Sequence, residues 1–154
     1  SDDSSWARGQ SWAVYGLALC YHYTHEEAIL PLFERVTKYF IDHLPEDYVP
    51  YWDLIFSDGS CEPRDTSAAA IAACGILEME KYYHNQEFLD IAKKMMSSLS
   101  EKYTTVDYLQ SNGIIKDGMY SRKHGHKSEC TSWGDYFYLE ALMRMKKSDW
   151  KIYW

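Results

Sequence analysis

The chain has 154 residues, of which 46% are hydrophobic and 25% charged, a composition typical of folded globular proteins. Its net charge of −7 argues against a nucleic-acid partner, which would require a basic face for phosphate groups. No apolar run approaches the roughly 20 residues of a membrane span, so no membrane partner is expected.

The cysteines and the first residues bear on the cellular compartment. Cys20, Cys61, Cys74 and Cys130 are scattered, without a CxxC pair or zinc-like spacing, which favours reduced thiols over disulfides or metal ligands. No secretory signal opens the chain. We therefore expect a cytoplasmic protein in which residues 1–154 form a single segment.

The first two predicted helices form a hairpin. Apolar residues recur at three- and four-residue steps over residues 9–23, which predicts one face of a helix. Thr24 and Glu27 have the spacing of a capping box, which predicts a second helix that ends near residue 44. Pro31 either bends this helix or sets its start one turn later.

The rest of the chain adds a second hairpin and a last helix. A loop is expected over 45–64, after which Asp65 or Thr66 can cap a third helix that runs to about Tyr83. An apolar stripe predicts a fourth helix, and its members are Phe88, Ile91, Ala92, Met95, Met96 and Leu99. Short strands or irregular loop are expected between residues 104 and 131. The last helix, over about 133–145, is apolar on nearly every side and should be well buried.

An internal repeat indicates how the hairpins are arranged. The segment over 16–30 matches the segment over 75–89 in the order of its glycine, tyrosine, histidine and leucine residues. Each copy is a helix, a turn and a returning helix, a unit that needs stacked neighbours to bury its apolar face. The sequence therefore predicts an all-α fold in which hairpins form an incomplete toroid, with a simple helical bundle as the alternative.

The most informative motif is WARGQSW over residues 6–12. It places Trp6, Arg8, Gln10 and Trp12 within two turns at the entry to a helix. A guanidinium can bind a carboxylate bidentately, an amide can bond sugar hydroxyls, and an indole can stack on a sugar ring. The alternative is that the tryptophans belong to the core and that Arg8 makes a structural salt bridge.

Two further motifs bracket the predicted loop, PYWD over 50–53 and RDTSAAA over 64–70. Trp52, Asp53, Arg64 and Asp65 are secondary candidates for substrate binding, and two loop carboxylates are in principle able to act as acid and base in glycoside hydrolysis. The structural alternative, which we favour, makes Asp65 an N-cap and Asp53 either a loop brace or an ion-pair partner of Arg64.

A basic patch, SRKHGHKS over 121–128, stands out in this acidic chain. His126, Lys127 and Ser128 are candidate ligands for a carboxylate or sulfate group on a substrate. A solvated loop is the alternative. His124 and His126 form a His-x-His pair, but two histidines without a third ligand do not define a metal site.

Four stretches, in this order, resemble signatures of the C-terminal half of glycoside hydrolase family 88, the unsaturated glucuronyl hydrolases. They are WARGQSW, PYWD, RDTSAAA and, over 130–144, CTSWGDYFYLEALMR. The likeness spans nearly the whole chain. The neighbouring family 105, the unsaturated rhamnogalacturonyl hydrolases, is similar but typically has RGN where this chain has Arg8-Gly9-Gln10, which favours family 88.

The resemblance implies an (α/α)6 barrel, here incomplete, and an unusual reaction. The implied substrate is an oligosaccharide left by a polysaccharide lyase, with a 4,5-unsaturated uronic acid at its non-reducing end. An aspartate protonates the C4=C5 vinyl ether, water adds at C5, and the hemiketal opens and releases the sugar. No metal or organic cofactor is implied. Trp6, Arg8, Gln10 and Trp12 match family residues that line the unsaturated-sugar pocket.

The family's two essential aspartates lie upstream of the WARGQSW motif and are not matched in this chain. Residues 1–154 are therefore expected to supply substrate-pocket residues but not the catalytic acid, and to be inactive alone. Bare inner-helix faces predict either self-association of the isolated chain or its rearrangement into a compact helical bundle. The rival function from a different class is a non-catalytic helical-repeat module that binds sugar or protein.

Overall fold

The structure, a computed structural model, describes residues 3–121, 129–147 and 149–153. The described residues form five α-helices: α1 (Ala7–Thr24), α2 (Ile29–Asp42), α3 (Thr66–Met79), α4 (Gln86–Lys102) and α5 (Ser132–Lys146). These three stretches contain no β-strand, and their β-type pairing is limited to isolated bridges. The predicted all-α fold is confirmed.

Three helices form an inner row and two lie outside it. α1 packs against α3 and α3 against α5, whereas α2 packs against α1 and α4 against α3. Each hairpin therefore pairs an inner with an outer helix, and α5 is the inner helix of a third hairpin. Buried apolar residues of all five helices belong to one core cluster. The arrangement is a row of hairpins, as predicted for part of a toroid, rather than a simple bundle.

α3 occupies the middle of the row and is buried along nearly its whole length. Its small residues allow close packing, because Ala68 to Ala70, Ala72 and Ala73 are all fully buried. Gly75 lies where α3 meets α1, and a Cβ atom there would be 2.8 Å from backbone atoms of Tyr15. The alanine-rich start of α3 thus brings the inner helices together at high packing density.

Two helix ends differ from the prediction, and the start of α2 agrees with one of the two alternatives given for Pro31, a start one turn later. Thr24 is the last residue of α1, where its hydroxyl donates to the Cys20 carbonyl oxygen at 2.7 Å, so the predicted capping box is wrong. α2 begins at Ile29, which places Pro31 in the first turn, where no intrahelical N–H bond is lost. α3 ends at Met79, one turn earlier than predicted.

α5 is buried on one side only. Phe137, Tyr138 and Ala141 lie in the core, but Leu139 and Met145 are 46% and 45% exposed. The prediction that this helix is buried on nearly every side is therefore wrong for the described chain. An apolar helix side that remains exposed is a surface that a neighbouring helix usually covers.

A buried ion-pair cluster joins the inner helices near their C-terminal ends. Glu78 of α3 pairs with Arg144 of α5 and, at 2.8 Å, with His22 of α1. Arg144 also pairs with Glu140 at 2.7 Å, and Glu140 accepts a hydrogen bond from Tyr15. Both glutamates are buried, so their charged forms depend on these partners. The cluster therefore links all three inner helices.

Candidate functional site

An open pocket of about 380 Å³ lies at the N-terminal ends of α1 and α5. Its lining is mostly aromatic and consists of Trp6, Arg8, Trp12, Tyr120, Ser121 and Trp133. Arg8 and Trp12 are one helical turn apart on the same face of α1, and Trp133 lies in the first turn of α5. The pocket therefore unites part of the WARGQSW motif with the start of the last helix.

Two indole rings enclose the guanidinium of Arg8. The Cζ atom of Arg8 lies 5.1 Å from the ring centroid of Trp6 and 5.2 Å from that of Trp133. Both distances are within the range of cation–π attraction. Gly9 permits this arrangement, because a Cβ atom there would lie 2.8 Å from the Trp6 ring. Trp6 is 48% exposed, so part of its surface stays open to a ligand.

Arg8 is almost fully buried, and both its Nη atoms are engaged. Nη1 donates to the Met119 carbonyl oxygen at 2.8 Å and to the Ser67 hydroxyl at 3.2 Å, and it lies 3.1 Å from Asp65 Oδ2. Nη2 donates to the Tyr120 carbonyl oxygen at 3.1 Å. None of these contacts from the described residues involves Nε. The structural salt bridge considered as the alternative is thus present.

Asp65 is the acid that faces Arg8. It occupies the N-cap position of α3, as predicted, but its side chain makes no capping hydrogen bond. It is fully buried, and its Oδ1 atom accepts a hydrogen bond from the Ser67 hydroxyl. Burial raises the pKa of Asp65, although the Arg8 guanidinium and the Ser67 hydroxyl act in the opposite direction. The carboxylate serves the pocket rather than the helix end.

Trp133 and Tyr120 are pocket residues that the sequence analysis did not select. Their rings are 5.8 Å apart, and Trp133 Nε1 donates to the Ser67 hydroxyl at 3.2 Å. Trp133 was expected to be core, but it is only half-buried and forms a wall of the pocket. The one available signal was its place directly after the start of a helix, within a motif of the family resemblance.

Gln10 lies outside this pocket. Two residues along a helix are about 200° apart, so the side chain of Gln10 leaves α1 on a different face from Arg8. Its amide donates to the Val36 carbonyl oxygen of α2 at 3.1 Å. It lines a separate open groove of about 590 Å³, together with Asp3, Ser4, Ser5, Arg35, Val36 and Tyr39. The structure does not bring Gln10 beside Arg8, and a sugar contact by Gln10 stays a prediction.

The loop over 45–64 supports the start of α1. The Trp52 carbonyl oxygen accepts a hydrogen bond from the Ala7 N–H at 3.0 Å. Asp53 is fully buried and accepts hydrogen bonds from the N–H groups of Ser5 at 2.9 Å and Ile55 at 3.1 Å. Asp53 is therefore engaged as a loop brace. Neither Trp52 nor Asp53 lines the pocket beside Arg8, and their direct contact with substrate stays a prediction.

Arg64 is engaged within the same loop. Its Nη1 atom donates to the Val49 carbonyl oxygen at 2.6 Å and lies 3.2 Å from Asp47 Oδ1. Its Cζ atom lies 3.9 Å from the ring centroid of Tyr51. These contacts are structural, and a substrate contact by Arg64 also stays a prediction.

The basic patch lies mostly outside the described residues. Its candidate ligands His126, Lys127 and Ser128 all fall there, and their part in binding stays a prediction. The described residues on either side of it have defined contacts. Ser121 lines the pocket, and the backbone of Glu129 forms hydrogen bonds of 2.8 and 2.9 Å with that of Gly118.

The described residues also bear on metal and membrane binding. Within the described stretches, no group of three or more His, Cys, Asp or Glu side chains is placed to hold a metal ion. In the same part of the chain, none of the helices combines the length and the apolar character that crossing a membrane would take. All four cysteines are free thiols, and only Cys74 is buried.

Comparison with known proteins identifies the family. The family model of Glycosyl Hydrolase Family 88 matches residues 1–148. The chain is 48% identical over 160 residues to the unsaturated chondroitin disaccharide hydrolase of Streptococcus pneumoniae, and 38% identical over 153 residues to the unsaturated glucuronyl hydrolase of Bacillus sp. strain GL1. The hairpin fold is therefore that of a class of glycoside hydrolases. The chain is a member of glycosyl hydrolase family 88.

The solved structures agree with this assignment. A crystal structure of a mutant unsaturated glucuronyl hydrolase from Streptococcus agalactiae, complexed with dGlcA-GalNAc6S, matches 100% of this chain with a TM-score of 0.94 and 46% identity. The chain has the fold of part of an (α/α)6 barrel. It covers 40% and 41% of the two curated relatives named above and 42% of the solved chain. The match to family 88 leaves the family 105 alternative without support.

Proposed function

We propose that the whole protein is an unsaturated glucuronyl hydrolase, acting on oligosaccharides that carry a 4,5-unsaturated uronic acid at the non-reducing end. The observation that carries this proposal is the pocket of Trp6, Arg8, Trp12 and Trp133, which combines aromatic walls with one buried cation. Indole faces suit sugar rings, and a guanidinium suits the planar carboxylate of a uronic acid.

Chondroitin disaccharides are the substrate class that we favour. The relative named for unsaturated chondroitin disaccharides is 48% identical to this chain, compared with 38% for the relative named only for unsaturated glucuronyl groups. The name of the first relative, and the dGlcA-GalNAc6S in the matching crystal structure, support a substrate in which a uronic acid is linked to an amino sugar.

In the proposed complex, Arg8 binds the substrate carboxylate through its Nε edge. Nη1 already contacts Met119, Ser67 and Asp65, and Nη2 has one hydrogen bond to Tyr120, so Nε–H and one Nη2–H are the remaining donors. Asp65 balances the charge of Arg8. Selection of the carboxylate therefore depends on the forked donor geometry in a desolvated site more than on net charge.

The proposed reaction consumes one water molecule. A carboxylic acid donates its proton to C4 of the vinyl ether, water adds at C5 and loses a proton to the resulting carboxylate, and the hemiketal opens by cleavage of the C5–O5 bond. The hemiacetal left at C1 then collapses to an aldehyde, and the C1–O glycosidic bond breaks to release the second sugar. Asp53 is engaged as a brace and Asp65 faces Arg8, so neither is placed as the proton donor. The acid is therefore proposed to lie outside this chain, and the 154 residues alone are expected to be inactive.

Secondary contacts complete the proposal. His126, Lys127 and Ser128 contact the second sugar, with preference for one that carries a sulfate, and Gln10 bonds sugar hydroxyls from its separate groove. No metal or organic cofactor takes part in this scheme. The cytoplasmic location expected from the sequence also remains a proposal, to be checked by cell fractionation.

The proposal is tested by assaying the whole protein on unsaturated disaccharides from chondroitin, hyaluronan, heparin and pectin. Disappearance of the double bond is followed by its ultraviolet absorbance. We expect the highest kcat/KM on a chondroitin disaccharide. Turnover confined to the pectin product would instead assign a rhamnogalacturonyl activity, and sugar binding without turnover would assign a binding module.

A further inference from the structure

Asp65 is a buried acid that the proposed reaction does not use. It has no exposed surface, and burying a carboxylate is costly unless it is paired and hydrogen-bonded. Its Oδ2 atom lies 3.1 Å from Arg8 Nη1, and its Oδ1 atom accepts the hydrogen bond of the Ser67 hydroxyl. The carboxylate therefore connects the start of α3 with the cation of the pocket on α1.

The contacts of Ser67 fix the direction in which its hydroxyl proton points. Arg8 Nη1 and Trp133 Nε1 each lie 3.2 Å from its oxygen, and both are donors only. The hydroxyl accepts from both, so its own proton is directed to Asp65. Through Ser67, the carboxylate of Asp65 is thereby linked to Trp133 as well as to Arg8.

We propose that Asp65 is a positioning residue, which holds the Arg8 guanidinium and, through Ser67, the Trp133 indole in the geometry that receives the substrate carboxylate. The proposal rests on the proposed function. Asp65 binds Arg8 at Nη1, the end of the guanidinium opposite to the Nε edge that we assign to the substrate. Without this anchor, the guanidinium keeps its hydrogen bonds to Ser67, Met119 and Tyr120 but loses the adjacent negative charge, so the fork is held less firmly and bidentate binding loses part of its alignment.

The first test is Asp65→Asn in the whole protein. Asparagine keeps the shape of the side chain but loses the negative charge opposite Arg8. We expect KM for the unsaturated chondroitin disaccharide to rise about tenfold, with a smaller change in kcat, because the interaction lost is a charge-assisted one made on binding. On the methyl ester of the same disaccharide, which has no carboxylate for the fork, the ratio of variant to wild type should stay within about twofold.

Asp47→Asn is the matched control. Asp47 also pairs with an arginine, Arg64, at 3.2 Å and accepts a hydrogen bond from the Tyr103 hydroxyl at 2.7 Å, but it does not line the pocket. We expect its kcat/KM to match that of the wild type. If Asp65→Asn does not fold, Ser67→Ala takes its place, because it keeps the Asp65–Arg8 pair and removes the link to Trp133. It should raise KM on the acid and leave the ester unaffected.

A second readout does not depend on turnover. The Arg8 Nε–H signal, assigned in nitrogen-15 NMR spectra with Arg8→Lys, should exchange with water at least about tenfold faster in Asp65→Asn or Ser67→Ala than in the wild type. An unchanged signal overturns the positioning role. A loss of activity that is equal on the disaccharide acid and on its methyl ester also overturns the positioning role, because an equal loss indicates general damage to the protein. A wild type that turns over none of the disaccharides defeats the proposed function, and the NMR measurement still decides whether Asp65 positions Arg8.

Discussion

Gly75 of α3 lies against the backbone of Tyr15 of α1, where a Cβ atom would be only 2.8 Å from the Tyr15 nitrogen and Cα. Gly16, at the equivalent position of the internal repeat, has open space around its missing Cβ. Two glycines that the repeat makes equivalent therefore have different roles, because only one of them lies at the contact between two inner helices.

The first prediction uses this pair of glycines. Gly75→Ala should lower the free energy of unfolding of the whole protein by about 1–3 kcal/mol, the usual cost of overpacking, because backbone atoms cannot move aside easily. Gly16→Ala should raise it by roughly 0.5–1 kcal/mol, because alanine is the better helix former. Urea unfolding of both variants measures the difference, and equal effects would show that the inner helices are not in close contact.

The second prediction concerns acid stability through Glu78. Burial alone would raise the pKa of its carboxyl group, but hydrogen bonds from Lys81 and Arg144 outweigh burial, and the pKa lies below the ordinary 4.5. A lowered pKa in the folded state means that Glu78 stabilises the protein above pH 4.5 and that this stabilisation is lost as the pH falls through the folded-state value.

Glu78→Gln tests this linkage. We expect the substitution to cost about 3 kcal/mol at neutral pH, because Arg144 loses one of its two buried carboxylates. The difference between variant and wild type should shrink at an acidic pH below 4.5, because the wild-type carboxylate takes up a proton as the pH falls through its lowered folded-state pKa. Urea unfolding at both pH values measures it, and a constant difference would show that Glu78 does not titrate with a lowered pKa.

The sequence was sufficient to predict the helices and part of the pocket. Apolar periodicity predicted α1 and α4, candidate capping residues indicated α2 and α3, and an almost continuous apolar character indicated α5. The WARGQSW motif placed Arg8 and Trp12 within two turns at the start of a helix. Helical geometry also places Gln10 and Arg8 on different faces of α1. This separation was not predicted, because the motif was interpreted as a single unit. Trp133 could not have been assigned in this way, since its contact with Arg8 joins residues from the two ends of the chain.

The ends of the elements were less predictable, for physical reasons. Thr24 and Glu27 have the residue types of a capping box, but α1 continues through Thr24, where its hydroxyl bonds the preceding turn. Asp65 has the residue type and the position of an N-cap, but its carboxylate pairs with Arg8 instead. At Thr24 the capping rule gave way to a local bond within the same helix, whereas at Asp65 it gave way to a contact with a residue far away in the sequence.

The third prediction is that the isolated 154-residue chain self-associates. Leu139, Leu142 and Met145 of α5 are each more than a third exposed, and contiguous apolar surface of this kind usually marks an interface. Light scattering should give a mass above that of the 18.1 kDa monomer. Leu139→Lys should reduce association, and Leu109→Lys, at an exposed loop position, is its control. A monomer at all concentrations would contradict the prediction.

The fourth prediction separates the basic patch from the pocket. Lys127→Ala in the whole protein should lower kcat/KM mildly, by about threefold, because one ion pair is removed while the other proposed substrate contacts remain. The loss should be concentrated on disaccharides with a sulfate on the second sugar. Parallel assays of sulfated and unsulfated chondroitin disaccharides measure the ratio. Equal losses on both would show that Lys127 does not contact the sulfate.

The role of Arg8 is the central claim, and Arg8→Lys in the whole protein tests it most directly. Lysine keeps the charge but loses the fork, so we expect a loss of about 1.5–3 kcal/mol in transition-state binding, or roughly tenfold to over a hundredfold in kcat/KM on an unsaturated chondroitin disaccharide. Lys102→Arg, the converse exchange at an exposed position of α4, should leave kcat/KM unchanged. If Arg8→Lys stays within about twofold of the wild type while its circular dichroism is unaltered, Arg8 is a structural residue and the pocket does not bind the uronate.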